Sequence, residues 1–135
     1  MIIGVPKEIM PGERRVSATP ETVKAMRDMG LTVLVQKDAG EGAYFHDPEY
    51  IAAGAEIVEN PAEIFERADM ILKVKEPQFN NDLNKHEADM MHEGQCLITF
   101  IHPAAPANHA MVKNLAARGV TSITLDCIPR ISRAQ

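Results

Sequence analysis

Short apolar runs recur along the chain, and most are separated by stretches with helical spacing. Met1–Val5, Leu31–Val35, Ala55–Val58, Met70–Val74, Gln95–Ile101 and Val120–Leu125 read as strands. Thr19 as N-cap and Pro20 at the first helical position start a helix that carries Val23, Met26 and Met29 and stops at Gly30. Thr22 stands where a full capping box has Glu or Gln, so only a partial cap is expected. Asp47-Pro48 opens a short helix ended by Gly54. Asn60-Pro61 caps another, with Ile64 and Phe65, that runs to Ala68. Pro106–Arg118 is amphipathic, with Met111, Val112 and Leu115 inward and Gly119 as its stop. Gln78–Glu93 is polar and offers a helical turn. Strands alternating with helices imply βαβ units with right-handed crossovers. The predicted fold is α/β: one domain over residues 1–135, with an open, mostly parallel sheet and helices on both faces, a flavodoxin-like or Rossmann-like three-layer arrangement. The pattern does not fix the strand order.

Several of these runs lead into basic groups. The first is followed by Arg14-Arg15, the fourth ends at Lys75, the fifth at His102 and the last leads to Arg130 and Arg133. Parallel strands would bring these groups to one edge, where open α/β sheets bind ligands. Arginines, a lysine and a histidine there suit a small carboxylate or carbonyl compound. Each has an ordinary reading as well. Arg14 and Arg15 beside Glu13 fit a solvated loop, which composition alone favours. Lys73 and Lys75 alternate on a strand and so share a face, and a lysine in a buried strand needs a partner, for which Glu76 is at hand. His102 at a strand end suits general acid/base work, or a bond to a backbone carbonyl. His46, His86, His92 and His109 read as surface residues. No pair of them has metal-ligand spacing on one element, so no metal is expected.

Gly40-Glu41-Gly42-Ala43-Tyr44-Phe45 lacks the third glycine of a dinucleotide fingerprint, and no helix opens within it. It reads as a turn near the site rim.

Composition narrows the classes. The net charge of −5, the absence of Trp and the 4% aromatic content exclude a basic or stacking nucleic-acid surface. Cys96 and Cys127 have no CxxC spacing, which suggests a reduced, cytoplasmic setting. No run reaches the roughly 18 apolar residues of a membrane span, and the start lacks the marks of a signal peptide. The eight methionines read as adaptable core filler. Pro129–Gln135 is polar and basic and brings no helix to cover the last strand, so the chain looks like a piece of something longer.

Motifs along the whole length fit one family. Met1-Ile2-Ile3-Gly4-Val5-Pro6-Lys7-Glu8, Glu13-Arg14-Arg15-Val16, Thr19-Pro20, Ala39-Gly40-Glu41-Gly42, Ala53-Gly54-Ala55, Lys73-Val74-Lys75-Glu76-Pro77 and Phe100-Ile101-His102-Pro103-Ala104 occur in order. Together they resemble the N-terminal domain of the alanine dehydrogenase / pyridine nucleotide transhydrogenase family. The run Pro129–Gln135 resembles the transhydrogenase α subunit, where residues matching Arg130 and Gln135 contact the nucleotide. Resemblance to alanine dehydrogenase implies instead that Arg15 and Lys75 bind the pyruvate carboxylate and carbonyl and that His102 is the acid/base. The transhydrogenase branch often lacks that histidine, but the longer tail motif outweighs it.

The resemblance implies hydride transfer with NAD(H) and NADP(H), the nucleotide being held by a separate Rossmann-type domain absent from these residues. It further implies a fragment inactive alone, with no nucleotide tightly bound. Membrane transhydrogenase subunits are the expected partners, and apolar and basic surface along the cleft edge favours a homodimer. The alternatives are the same domain of an L-alanine dehydrogenase, and a stand-alone, non-catalytic binding domain, which the short chain suggests.

Overall fold

A computed structural model describes residues 1–126 and 128. The expectations for Cys127, Arg130, Arg133 and Gln135 therefore lie outside the described residues. The elements in chain order are β1 (Ile2–Val5), α1 (Pro20–Asp28), β2 (Thr32–Gln36), α2 (Asp47–Ala52), β3 (Glu56–Val58), α3 (Pro61–Arg67), β4 (Met70–Lys75), β5 (Phe79–Asn80), β6 (Lys85–His86), β7 (Cys96–Phe100), α4 (His109–Ala117) and β8 (Thr121–Thr124). Single 3₁₀ turns occupy Glu41–Ala43, Glu87–Met90 and Pro106–Asn108.

Six strands form one sheet in the order β3-β2-β1-β4-β7-β8, and every neighbouring pair is parallel. Alternation along the strands sorts the core. Ile3, Val5, Val33 and Val35 face α1 and α2 and pack with Val23 and Tyr50, whereas Leu34, Ile71 and Leu97 face α3, α4 and the 87–90 turn. Gly4 shows how closely α3 approaches. A Cβ there would lie 2.7 Å from Ile64 Cγ2 and 2.9 Å from Ala68 Cβ. On the α1 side, helix cover from the described residues stops short of the far strands. Among the described residues, Ile123 of β8 is 47% exposed, and Cys96, Ile98 and Phe100 of β7 are half-buried.

Four local expectations need correction. The Gln78–Glu93 stretch holds more than a helical turn: β5 and β6 pair as a small antiparallel hairpin before the 87–90 turn. Thr22 completes a reciprocal cap after all. Its hydroxyl accepts from Thr19 N–H at 2.8 Å, and Thr19 Oγ1 accepts from Thr22 N–H at 3.3 Å. A hydroxyl is long enough for the task usually given to Glu or Gln. Met29 follows α1 as its C-cap and is exposed rather than inward. His86 is half-buried, not a surface residue, because its Nδ1 accepts Ala88 N–H at 3.1 Å and caps the 3₁₀ turn.

Candidate functional site

The strand order reverses direction between β1 and β4. From β1 the chain builds outward through β2 and β3; from β4 it builds the other way through β7 and β8. Ligands of open α/β sheets bind outside the carboxyl ends at such a switch. Here β1 and β4 pair only through Ile3–Met70 and Gly4–Ile71 and have no paired positions beyond.

Glu8 bridges this crevice. Its side chain is 2% exposed. Oε1 accepts from Lys73 Nζ at 3.2 Å and from Lys75 N–H at 3.0 Å, and Oε2 accepts from Val74 N–H at 3.0 Å. Lys73 is fully buried and also lies 3.4 Å from Glu87 Oε1, which accepts Gln78 N–H at 2.8 Å. Lys73 thus does have carboxylate partners, but not the one expected. Glu76 makes no such pair: its Oε2 is buried without a hydrogen-bond partner among the described residues. Sequence reasoning missed Glu8 and Glu87. The signal was the lysine itself, since a cation inside an apolar strand requires a carboxylate from somewhere.

Burial raises the Glu87 carboxyl above its ordinary value of 4.5, against the pull of Lys73 and the Gln78 N–H. Between the unfolded and the raised folded value, the folded chain holds a proton that the unfolded chain has released. This contribution to stability is complete below the unfolded pKa and is lost as pH rises through the raised folded value. Glu87→Gln keeps an acceptor for Gln78 N–H and removes the titration. Urea midpoints measured upward from pH 4.5 are expected to decline less in this variant than in the native chain.

The three basic groups named from sequence sit at the carboxyl ends of adjacent strands: Arg15 after β1, Lys75 ending β4, and His102 just after β7. Glu13 binds the Arg15 guanidinium through both oxygens, at 2.7 and 2.9 Å. The Arg15 guanidinium, aided by the charge of Lys75, holds the Glu13 carboxyl down to about 2. Arg15 stays exposed, so the pair leaves it within reach of a ligand. Gly42 lets the 41–43 turn rest on this loop, since a Cβ there would lie 2.8 Å from Arg14 O. The β4–β7 register shifts between Leu72 and Lys75, and along this stretch Lys73 is fully buried while Lys75 is half-buried. Lys75 pairs in register with Phe100, and Thr99 Oγ1 donates to Lys75 O at 2.8 Å. The Phe100 ring stacks on the His102 imidazole with centroids 6.3 Å apart.

These groups share an edge, but neither of two hollows formed by the described residues is lined by all three. A hollow of about 300 Å³ is lined by Glu8, Gly12, Glu13, Arg14, Arg15 and Gly42, among others. A larger one, of about 620 Å³, runs along the ends of β2 and β3 to the β5–β6 hairpin. Lys7 and Glu8 line both. Lys75 and His102 line neither.

The residues at the switch do not fit a dinucleotide pyrophosphate. A fingerprint needs a tight glycine turn and open N–H groups at the next helix. Here α1 opens only at Pro20, its first turn is capped by Thr19 and carries Glu21, and the Glu8 carboxylate fills the crevice. Among the described residues, no helix is long and apolar enough to cross a membrane.

Residues 4–135 match the family described as "Alanine dehydrogenase/PNT, N-terminal domain". The chain is 38% identical over all its 135 residues to the NAD(P) transhydrogenase subunit alpha of Cereibacter sphaeroides, covering 24% of that protein. It is 40% identical over 134 residues, 99% of the chain, to the alanine dehydrogenase of Methanococcus maripaludis, covering 34% of that protein. The solved structure of a transhydrogenase from Sinorhizobium meliloti superposes on the whole chain with a TM-score of 0.84 at 32% identity, covering 38% of that structure. The chain thus spans between about a quarter and two-fifths of the length of these proteins.

Proposed function

The chain belongs to the alanine dehydrogenase/PNT N-terminal domain family, and we propose that it acts as the N-terminal domain of an NAD(P) transhydrogenase α subunit. The observation that supports this reading is the 38% identity to such a subunit over all 135 residues, taken with the resemblance of the Pro129–Gln135 run read from the sequence. In it, hydride passes between NAD(H) and NADP(H). The nicotinamide supplies the redox chemistry, and the protein binds, orients and shields it. The poor fit of a pyrophosphate at the β1–β4 crevice supports a division in which another domain holds the nucleotide. Arg130 and Gln135 would reach that nucleotide. Membrane-bound partner subunits, cytoplasmic placement and pairing of two copies belong to the same reading.

The test uses the whole reading frame that carries these residues. Hydride exchange from NADH to an NADP analogue is expected, with a marked loss when Arg130 and Gln135 are both replaced by Ala. Full exchange in that double variant would contradict the assignment.

A second reading, the N-terminal domain of an L-alanine dehydrogenase, is favoured by the placement of Arg15, Lys75 and His102 on adjacent strand ends. In that reaction Arg15 would hold a carboxylate, Lys75 would polarise a carbonyl oxygen and His102 would move a proton. Alanine-dependent NADH formation separates the two readings.

A further inference from the structure

We propose that Asp126 is a positioning residue, which fixes the His102 imidazole as its Nδ1–H tautomer and so makes Nε2 the proton acceptor of the carboxyl edge. Its use in proton transfer rests on the second reading above; the pairing itself does not.

His102 follows β7 in the left-handed region, with φ of 52°, an uncommon conformation for a residue with a side chain. The surroundings hold it there. Asn108 Nδ2 donates to Ile101 O at 2.9 Å and to His102 O at 3.2 Å. Asp126 reaches the same residue from the end of the neighbouring strand, where Leu125 N–H donates to Thr99 O at 3.0 Å.

One carboxylate makes two distinct contacts with one residue. Asp126 Oδ2 accepts His102 N–H at 2.8 Å, and Asp126 Oδ1 lies 2.9 Å from His102 Nδ1. The Thr124 hydroxyl also donates to Oδ2. That hydroxyl, more than the other neighbours, holds the Asp126 carboxyl below the usual carboxylate range. Near neutral pH Asp126 is ionised and can only accept. The proton between Oδ1 and the ring therefore belongs to Nδ1, and the lone pair of the neutral ring lies on Nε2. The imidazole is 47% exposed, and Nε2 has no hydrogen-bond partner among the described residues. With Nδ1–H directed at Asp126 Oδ1, the ring plane is held and Nε2 is turned away from the carboxylate.

The arrangement makes Asp126→Asn an informative change. The backbone N–H of His102 and the Thr124 hydroxyl are both donors at Oδ2, so the amide oxygen must take that place. The amide N–H₂ then faces Nδ1 and donates to it, which forces the ring proton onto Nε2. The substitution inverts the tautomer without removing a contact.

Long-range ¹H–¹⁵N spectra of the intact chain with labelled histidine, recorded above the ring's titration, read the tautomer directly. The native chain is expected to show His102 as Nδ1–H and Asp126→Asn to show it as Nε2–H. In the whole reading frame, the same variant is expected to lose about 10²-fold or more in kcat for pyruvate reduction, with KM nearly unchanged, the range for loss of a general acid/base. A native ring protonated mainly on Nε2, as a free imidazole is, would overturn the pairing. An inverted tautomer with kcat intact would overturn the positioning role. Absence of pyruvate reduction in the unsubstituted frame would count against the second reading and the role it lends Asp126, while the tautomer spectra would still decide the pairing.

Discussion

Lys73→Met is expected to lower stability by about 3–5 kcal/mol at neutral pH, the cost of breaking a buried ion pair and leaving charge unpaired. The ammonium is wholly buried between Glu8 and Glu87, whose side chains are each 2% exposed. Methionine fills nearly the same space, so little of the loss comes from a cavity. What remains is two carboxylates facing each other away from water. Glu8 cannot turn away without giving up the Val74 and Lys75 N–H groups. Glu87, whose carboxyl burial already raises, can relieve the repulsion by taking a proton, so the deficit is expected to shrink as pH falls. Urea unfolding at pH 7 and at pH 5 checks both magnitude and trend. A loss below about 1 kcal/mol would place this change among ordinary surface substitutions and contradict the buried cluster.

Lys75→Met is expected to do the reverse, with a small effect on stability and a large one on chemistry. Lys75 is half-buried, and its link to Glu8 is through the backbone N–H, which the substitution leaves in place. The β4 end should therefore keep its shape. If the ammonium polarises a substrate carbonyl, its loss should lower kcat for pyruvate reduction by about 10²–10³-fold, the scale for removing one preorganised charge-stabilising donor. Exchange between NADH and an NADP analogue involves no such carbonyl and should change less. Steady-state kinetics of both reactions in the whole reading frame would thus divide the two functional readings as well as test the residue.

The layers of this fold were legible in the sequence because the apolar period changes so plainly between strand and helix. Val33, Leu34 and Val35 illustrate it: alternate side chains go to opposite cores. The order of the strands was not legible, because a βαβ unit looks the same in sequence whichever side its crossover takes. The β5–β6 hairpin escaped because two-residue strands carry no period to read. At the edge, the strand-end positions of Arg15, Lys75 and His102 followed from counting along apolar runs. Their partners did not. Local sequence offered Glu76 to the lysines, yet Lys73 is paired with carboxylates from the segment after β1 and from the 87–90 turn. Likewise, nothing near His102 in the sequence points to Asp126, which arrives only once β8 lies beside β7. Contacts set by the tertiary fold have no local signature, and the switch point owes its chemistry to them.

The division of labour between an edge that presents reacting groups and a separate domain that grips the nucleotide is most directly tested by titrating NADH calorimetrically into the 135-residue chain and into the whole reading frame. The capped α1 and the carboxylate in the β1–β4 crevice predict no saturable binding by the chain and saturable binding by the whole frame. Saturable binding of NADH by the chain alone, abolished by a change at the crevice such as Glu8→Gln, would contradict it.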